Sequence, residues 1–377
     1  MWEKTNTIEV GADMGFLNNR IYATLAYYDR KTEDKLAFIG LPTSSGFSSN
    51  RTNNGSMRNR GVELDVTAKV VQGSDFQWSV SANAAWNKNT VLKLPFNGNE
   101  RNRQGGQRIY DPKTGTVIWV GGFQEGQEWG TIYGYVTDGV IRTAEDLANY
   151  NKIDITAGET QAIGGAAGKK VASQKLITEK GLTNHLATQL GDMRWKDFDK
   201  NDTIDFRDMQ PMGRTLPRWT GGVNTTVSYK GLSLFLRVDF ALGHVQMDRQ
   251  QVWSLGSMQG EFNMTEIVKD TWTPENPNAT YPRFSWADQL NMKNFDRPSN
   301  MFYVNSSYLA FREASLSYDL PKGLISKAKM KGVSLSVTGQ NLGYLSNKLL
   351  NLPERTGFQN SAYTIPTTLI FGANITF

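Results

Sequence analysis

The chain has 377 residues, of which 39% are hydrophobic and 20% are charged, and its formal net charge is +5. It contains no cysteine and only two histidines, which excludes disulfide scaffolds, thiolate chemistry and the usual zinc sites. The 41 basic and 36 acidic residues are interspersed without a basic stripe, so a nucleic-acid-binding protein is not expected. The sequence has no apolar run of about 18 residues, which excludes a helical membrane protein.

The dominant pattern is an alternation of apolar and polar residues with a period of two, which predicts β-strands. The clearest pair is Val62–Val70 and Trp78–Trp86, which a short polar turn joins into a hairpin. The same test predicts about eleven strands, most of them paired with the next strand along the chain. In chain order they are 8–16, 21–27, 62–70, 78–86, 116–121, 129–140, 223–229, 232–240, 314–320, 333–337 and 369–377.

The connections between these strands alternate in length. Short turns are predicted near residues 18, 73, 124, 230 and 325, and long polar loops at about 34–60, 88–115, 142–217, 243–306 and 344–362. Long loops at one end and short turns at the other are typical of an outer-membrane β-barrel. A soluble β-sandwich, whose apolar faces meet in a core, is the alternative that patterning leaves open.

The last strand favours the barrel. Apolar residues occupy every second position from Leu369 to the terminal Phe377, as in the terminal strand of outer-membrane barrels. We therefore predict that Phe371, Ile375 and Phe377 form an assembly signal.

Several motifs follow one another along the chain and resemble one known family. They are Trp2–Thr5 with Val10–Phe16, Tyr27–Thr32, Arg58–Leu64, Gly130–Gly139, Gly191–Asp197, Leu216–Gly222, Tyr308–Arg312 and Val337–Leu342. In order and spacing these motifs resemble the SusC/RagA family of TonB-dependent transporters of Bacteroidota outer membranes.

The resemblance implies an all-β, antiparallel transmembrane barrel of 22 strands, of which residues 1–377 are the C-terminal part. Residues 1–30 show no signal peptide, and no plug domain is expected within this chain. The implied function is energised uptake of a bulky nutrient, a glycan oligosaccharide in the first place and a peptide in the second. The alternative is a soluble or extracellular all-β carbohydrate-binding protein without a transport role, and no enzyme activity is expected.

The partners that the resemblance implies are outer-membrane lipid, a SusD-like surface lipoprotein and the barrel assembly machinery. The TonB–ExbB–ExbD motor is also implied, through an N-terminal part that this chain lacks.

One acidic segment within the predicted extracellular loop 142–217 has the spacing of an EF-hand loop, which suits Ca²⁺. Its candidate ligands at positions 1, 3, 5, 7, 9 and 12 are Asp197, Asp199, Asn201, Thr203, Asp205 and Asp208. Two departures are Asp202 at position 6, where the turn prefers Gly, and Asp208 at position 12, where Glu is usual. A solvated acidic turn is the alternative interpretation.

Tryptophans in and beside the long loops are candidates for stacking on sugar rings. The predicted substrate contacts are Trp119, Trp129, Trp253 and Trp286. Packing of a large loop against a partner is the alternative role. No catalytic set of residues is predicted.

Overall fold

We analysed a computed structural model of the chain. It describes residues 2–41, 43–156, 170–257, 264–284, 293–295, 297–326, 329–347, 352–354, 357–359 and 363–377. Among these residues, no helix has the length and apolar character that a membrane crossing requires.

Nine long strands form one antiparallel sheet, which we call the wall, and their order in the sheet follows the chain. The strands are β1 (Lys4–Phe16), β2 (Ile21–Gly40), β3 (Ser49–Gln72), β4 (Phe76–Lys93), β5 (Trp219–Tyr229), β6 (Leu232–Leu242), β7 (Tyr308–Asp319), β8 (Gly332–Leu345) and β9 (Thr368–Thr376). The predicted all-β, antiparallel fold class is confirmed. The predicted total of eleven strands includes two segments that lie outside the wall.

The strand register aligns the apolar residues of neighbouring strands on one face of the wall. Residues directly opposite each other in an antiparallel pair point to the same side of the sheet. One such row crosses six strands, from β4 to β9. It consists of Trp78, Val227, Leu234, Leu316, Val337 and Phe371. The alternation seen in the sequence therefore produces a continuous apolar band.

The other face of the wall is polar. Ser228, Ser233, Ser317 and Ser336 lie opposite one another across β5 to β8, one residue away from the apolar row. A one-residue slip of any strand would exchange the two faces, so the alternation also fixes the register.

The apolar band is open to its surroundings in this structure. Leu64, Leu236 and Phe371 are 40%, 37% and 78% exposed. A sandwich would bury this face in a core, so the exposed band does not fit that alternative. It fits a wall whose outer face meets lipid.

The buried apolar clusters lie instead within the long connections. One cluster contains Tyr135, Met193, Trp195 and Ile204. A second contains Met247, Val252, Leu255, Phe295 and Phe302. The long connections at one end of the wall are therefore packed structures with their own cores.

The two ends of the wall differ as predicted in the length of their connections, but one predicted loop is wrong. Residues 34–60 are largely strand, because β2 continues to Gly40 and β3 begins at Ser49. The pairing passes irregularities between Thr32 and Lys35 and between Lys35 and Ala37. Backbone hydrogen bonds can hold a strand that has no apolar face. A test for alternating apolar residues therefore does not detect this polar extension of β2 and β3.

The sequence also predicts that segment 116–121 pairs with the next strand, 129–140, across the turn near residue 124, and this pairing is wrong. Thr116–Val120 pairs with Gln107–Asp111, while Thr131–Gly134 pairs with Gln210–Arg214 and Thr137–Val140 with Met193–Trp195. These short strands belong to the connection between β4 and β5, which spans residues 94–218 and includes the predicted loop 142–217. Their partners are far away along the chain, so a pattern of local alternation cannot identify them.

The remaining elements are also in the long connections, except for one helix in the turn after β7 and one 3-10 turn in the short connection between β2 and β3. A four-stranded sheet contains Ile153–Asp154, Lys170–Ala172, His185–Ala187 and Thr203–Ile204, and a three-stranded sheet contains Val245–Asp248, Tyr303–Asn305 and Gly357–Gln359. The α-helices are α1 (Ala144–Asn149), α2 (Gln174–Lys180), α3 (Arg249–Val252) and α4 (Lys322–Ile325). Single turns of 3-10 or π helix are Thr43–Ser45, Glu100–Asn102, Phe206–Asp208, Trp253–Ser257 and Glu266–Asp270.

Candidate functional site

The acidic segment 197–208 folds back on itself and brings three of its six candidate ligands together. Asp197, Asp199 and Asp208 each offer a carboxylate oxygen, and these oxygens lie within 4.8 Å of one another. Oxygens on one ion at the usual Ca²⁺–oxygen distance of about 2.4 Å are separated by at most about twice that distance. The three carboxylates therefore have the spacing that a Ca²⁺ ion needs.

The backbone of the segment makes the tight turn that an EF-hand loop requires. Asp202, at the position where Gly is usual, has a φ of 60°. The Asp197 carboxylate accepts hydrogen bonds from the Asn201 N–H at 3.2 Å and the Asp202 N–H at 2.9 Å. Ile204, at position 8, is fully buried and lies opposite Asp154 in a parallel strand pair. The apolar residue thus fixes the loop to the neighbouring core.

Two cations lie next to the acidic segment. Lys152 Nζ is 2.8 Å from Asp197 Oδ2 and 2.7 Å from Asp202 Oδ1. Arg207 contacts Asp199 at 3.4 Å and Asp205 at 2.8 Å. Together with Lys200, which also belongs to the segment, these two cations balance three of the five aspartate charges.

Asp199 and Asp208, at positions 3 and 12 of the segment, lie in surroundings that disfavour their ionised carboxylates. Burial raises the pKa of Asp208 to about 7, against the stabilising hydrogen bonds from the Asp205 and Phe198 N–H groups. Burial also raises the pKa of Asp199. Asp199 Oδ1 is buried, and no group in the described part of the chain donates a hydrogen bond to it. A cation at this position would relieve both effects, since it favours the ionised carboxylates.

The other three candidate ligands have different surroundings. Asn201 Oδ1 accepts a hydrogen bond from the Thr203 N–H at 2.7 Å. Thr203 lies in a short strand beside Ile153. The Asp205 carboxylate accepts hydrogen bonds from the Arg207 N–H and guanidinium. Asn201 and Asp205 thus accept internal hydrogen bonds here, so the convergent set consists of the three aspartates.

The segment is held in place by a buried arginine that the sequence analysis missed. Arg297 is 2% exposed and donates to Asp154 at 2.6 Å. Its guanidinium lies 4.6 Å from the ring centre of Tyr135 and 4.5 Å from that of Trp195. Arg297 thus joins the connection before β7 to the connection that carries the acidic segment.

A second set of buried contacts, around Asp192, links the same two connections. Asp192 is 2% exposed and accepts hydrogen bonds from Arg283 at 2.5 Å and Asn294 at 2.9 Å. Asn294 also accepts from the Met193 N–H at 2.9 Å. Nothing in the sequence distinguishes these residues from solvated loop residues, because their partners lie about a hundred positions away.

Two of the predicted substrate contacts lie in the connection after β4. Trp119 lines a cavity and stacks beneath Arg103, whose guanidinium carbon lies 4.0 Å from the indole centre. Trp129 is 38% exposed and stacks on Phe123 with 5.7 Å between ring centres. Both indoles are therefore partly accessible and held by a neighbouring planar group.

The other two predicted contacts lie in the connection before β7. Trp253 is 48% exposed and begins the π-helical turn that follows α3. Trp286 lies outside the described residues. A further loop tryptophan, Trp195, is buried beneath Arg297 and serves the core.

The predicted assembly signal lies on the edge strand β9 and just beyond it. Phe371, Ile375 and Phe377 are 78%, 47% and 77% exposed. Phe371 and Ile375 lie opposite Val337 and Val333 of β8, which places them on the apolar band.

The sequence matches one family over most of its length. A family model described as "TonB dependent receptor-like, beta-barrel" matches residues 1–342. The chain is 27% identical over 343 residues to TonB-dependent receptor P3 of Formosa agariphila, a match that covers 90% of this chain and 29% of that protein. It is 43% identical over 94 residues to TonB-dependent receptor SusC of Bacteroides thetaiotaomicron, which covers 25% of this chain and 9% of that protein.

The fold is also similar to a solved transporter. The structure of the RagAB peptide transporter matches with a TM-score of 0.66 at 23% identity, covering 100% of this chain and 36% of that chain. The chain spans about a third of the length of the long curated relatives that it matches.

The family model, the identity with SusC and the likeness to RagAB agree with the alternating nine-stranded wall. Members of the matched family are transporters and receptors of the outer membrane of Gram-negative bacteria, and they are not enzymes. SusC and RagAB are among the proteins that the chain resembles, and the chain belongs to the β-barrel family of TonB-dependent receptors.

Proposed function

We propose that the chain forms part of the barrel of an outer-membrane transporter that imports a bulky nutrient with energy supplied through TonB. The continuous apolar row on one face of the wall carries this proposal. A face of this kind suits lipid, and the polar opposite face suits a wet interior. The long, packed connections at one end supply the surface that a nutrient would meet first.

The proposed partners follow from the SusC and RagAB relatives. A SusD-like lipoprotein would cover the long connections, and TonB with ExbB and ExbD would act on a part of the protein outside these residues. The exposed aromatic residues of β9 and Phe377 support recognition by the barrel assembly machinery. Outer-membrane lipid would cover the apolar band.

A glycan oligosaccharide is the proposed nutrient class, and a peptide is the second candidate. The partly exposed indoles of Trp119, Trp129 and Trp253 support the first, because aromatic faces suit the apolar faces of sugar rings. The likeness to the RagAB peptide transporter supports the second.

The test is uptake by cells that express the full-length protein. We expect the protein in the outer-membrane fraction and uptake of a fluorescent oligosaccharide mixture that stops when TonB is deleted. A fluorescent peptide mixture of similar size distinguishes the second candidate. Uptake that continues at the same rate without TonB would contradict the proposed mechanism.

We also propose that the acidic segment binds Ca²⁺ through Asp197, Asp199 and Asp208. The convergent oxygens support it, and so does Asp199 Oδ1, which accepts no hydrogen bond from the residues that the structure describes. Calorimetric titration of the purified full-length protein with Ca²⁺ should show binding that Asp199→Asn weakens. Asp138→Asn is a matched control, because Asp138 pairs with Arg194 outside the convergent set. No heat at millimolar Ca²⁺ would refute the site.

A further inference from the structure

The cavity beside Trp119 is a candidate binding site that the transport function by itself does not define. It has a volume of about 410 Å³ and lies between the hairpin 107–120 and the segment around Thr131. Two arginines, Arg101 and Arg103, line it together with Trp119 and Gln127. Gln124 also belongs to the lining, but it is 4% exposed and its Nε2 donates to the Gly121 carbonyl at 3.2 Å. The cavity therefore combines guanidinium groups, amides and one indole.

Arg103 is held in a fixed orientation. Its guanidinium stacks on the Trp119 indole with 4.0 Å between the guanidinium carbon and the ring centre. One end of the group, Nη1, bonds the Glu100 carbonyl at 3.3 Å. A planar guanidinium fixed in this way presents its remaining N–H groups along one edge, the geometry that binds a carboxylate or sulfate.

Arg101 is presented to the cavity by a backbone conformation that arginine normally avoids. Its φ is 54° and its ψ is 26°, in the left-handed region. The next residue, Asn102, has a φ of 46°. Side chains other than Gly, Asn and Asp rarely adopt this region, and such residues concentrate at ligand sites. This backbone conformation costs free energy, and a ligand bound beside Arg101 would explain why the chain adopts it.

A network of amide side chains holds the turn that carries both arginines. Asn97 Nδ2 donates to the Arg103 carbonyl at 2.9 Å, and Asn99 Nδ2 donates to the same oxygen at 3.3 Å. Asn102 Nδ2 donates to Glu125 Oε1 at 2.9 Å, and the Glu125 N–H donates to the Arg101 carbonyl at 3.1 Å. The turn is therefore preorganised, which lowers the entropic cost of binding.

The charge around the cavity is positive. Glu128, which lines it, is surrounded by three cations: it contacts Arg214, lies 2.6 Å from Arg218, and lies 3.6 Å from Lys88. Glu128 is thus more than neutralised, and Arg101 adds a cation without an ion-pair partner in the described part of the chain.

Glu100 is the other acid of the cavity, and it does not reverse this balance. Its carboxylate is 72% exposed and lies 3.9 Å from Arg103, so solvent screens it. The lining itself carries two arginines and two glutamates, and the three cations around Glu128 make its surroundings positive, which favours a negatively charged ligand.

We propose that this cavity binds the acidic groups of an anionic oligosaccharide, such as a uronic acid polymer. The inference rests on the proposed uptake function and names its substrate class. The arginines would bind the carboxylates, and the exposed Gln127 would bind hydroxyl groups. Trp119 would hold Arg103 in place beside the sugar. A saccharide suits the site better than an acidic peptide, because a sugar ring offers several hydroxyl groups beside each carboxylate.

The test measures the affinity of the full-length protein in detergent for three probes by calorimetry. The probes are a hexamer of galacturonic acid, the neutral sugar maltohexaose and a hexa-aspartate peptide. We expect the uronic acid hexamer to bind more tightly than the other two, and its affinity to fall as salt is added.

Two variants test the residues. Arg101→Gly should weaken binding by about tenfold, since a charge-assisted hydrogen bond is lost, while the melting temperature stays unchanged or rises because Gly tolerates the left-handed region. Lys230→Gly is the matched control. It removes one positive charge at a left-handed position, φ 46°, in the turn between β5 and β6, and should leave binding unchanged. Arg103→Gln keeps a planar group over Trp119 and should also weaken binding.

Equal binding of the neutral sugar or of the peptide would overturn the proposal, as would unchanged affinity in Arg101→Gly. Membrane insertion of the same protein, measured by fractionation, reports the proposed function separately. No binding of the uronic acid hexamer by correctly inserted protein would overturn the anion site alone. Failure to insert would overturn the transport function on which the site rests.

Discussion

Asp208 shows how one buried carboxyl group can link metal binding to pH. It is fully buried, and its pKa is raised to about 7 by burial. Because the folded-state pKa is raised, the protonated carboxyl stabilises the fold at low pH, and this contribution is lost as pH rises through about 7. The ionised form that prevails above that pH is also the form that binds a cation.

We therefore predict that Ca²⁺ binds more weakly as pH falls from about 8 to about 6, with protons released on binding. The loss of stability of the metal-free segment at high pH should be reversed by Ca²⁺. Calorimetry in buffers of different ionisation enthalpy measures the Ca²⁺ affinity and the number of protons released on binding. An affinity that does not change across this range would show that Asp208 is not a ligand.

The wall offers a second comparison between single residues. Leu236 lies on the apolar band, whereas its neighbour Arg237 is on the polar face, 3.4 Å from Asp239. Leu236→Arg places a charge against lipid and should cost about 2–4 kcal/mol near the midplane, while Arg237→Leu should leave folding nearly intact. Urea unfolding from lipid vesicles measures both. Equal losses at the two positions would contradict the assignment of the faces.

At the scale of elements, the hairpins of the wall were predictable and the strands of the connections were not. The pairing of Val62–Val70 with Trp78–Trp86 follows from alternation and one short turn, and it is confirmed. Thr131–Gly134 instead pairs with Gln210–Arg214, about eighty residues away, and neither segment is long enough to show a period. The acidic segment was found because its spacing is local, whereas Lys152 and Arg297 reach their partners only through the tertiary fold.

Arg297 is predicted to make a large contribution to holding the two long connections together. Arg297→Met would remove the cation that pairs with the buried Asp154 carboxylate, and breaking a buried ion pair costs about 3–5 kcal/mol. Amide hydrogen exchange of residues 135–140 and 193–204 should become faster.

Lys269→Met is the control, because the Lys269–Glu266 pair is exposed and should contribute at most about 1 kcal/mol. Combining Arg297→Met with Asp154→Leu should recover part of the protection, since no buried charge remains. Unchanged exchange in Arg297→Met would show that the apolar cluster and the hydrogen bonds of Asp192 hold this junction without Arg297.

At the scale of the whole molecule, the terminal strand should decide assembly into the membrane. Deletion of Phe377 from the full-length protein should reduce its amount in the outer membrane, because the aromatic end of β9 is the proposed assembly signal. Deletion of Phe47, which is 71% exposed in the connection between β2 and β3, is the control. Normal surface levels of the protein without Phe377, measured by antibody labelling, would count against this role.

The orientation of the wall in lipid can be measured strand by strand, because the chain contains no cysteine. Single cysteines would replace residues 232–240 of β6 in the full-length protein, with any cysteine outside these 377 residues removed. We predict that Leu232, Leu234, Leu236 and Val238 become sites quenched by lipid-borne probes and protected from a water-soluble maleimide, whereas Ser233, Arg237 and Asp239 react with the maleimide. Equal reaction of both sets with the maleimide would contradict the central claim that this sheet is a membrane-spanning barrel wall.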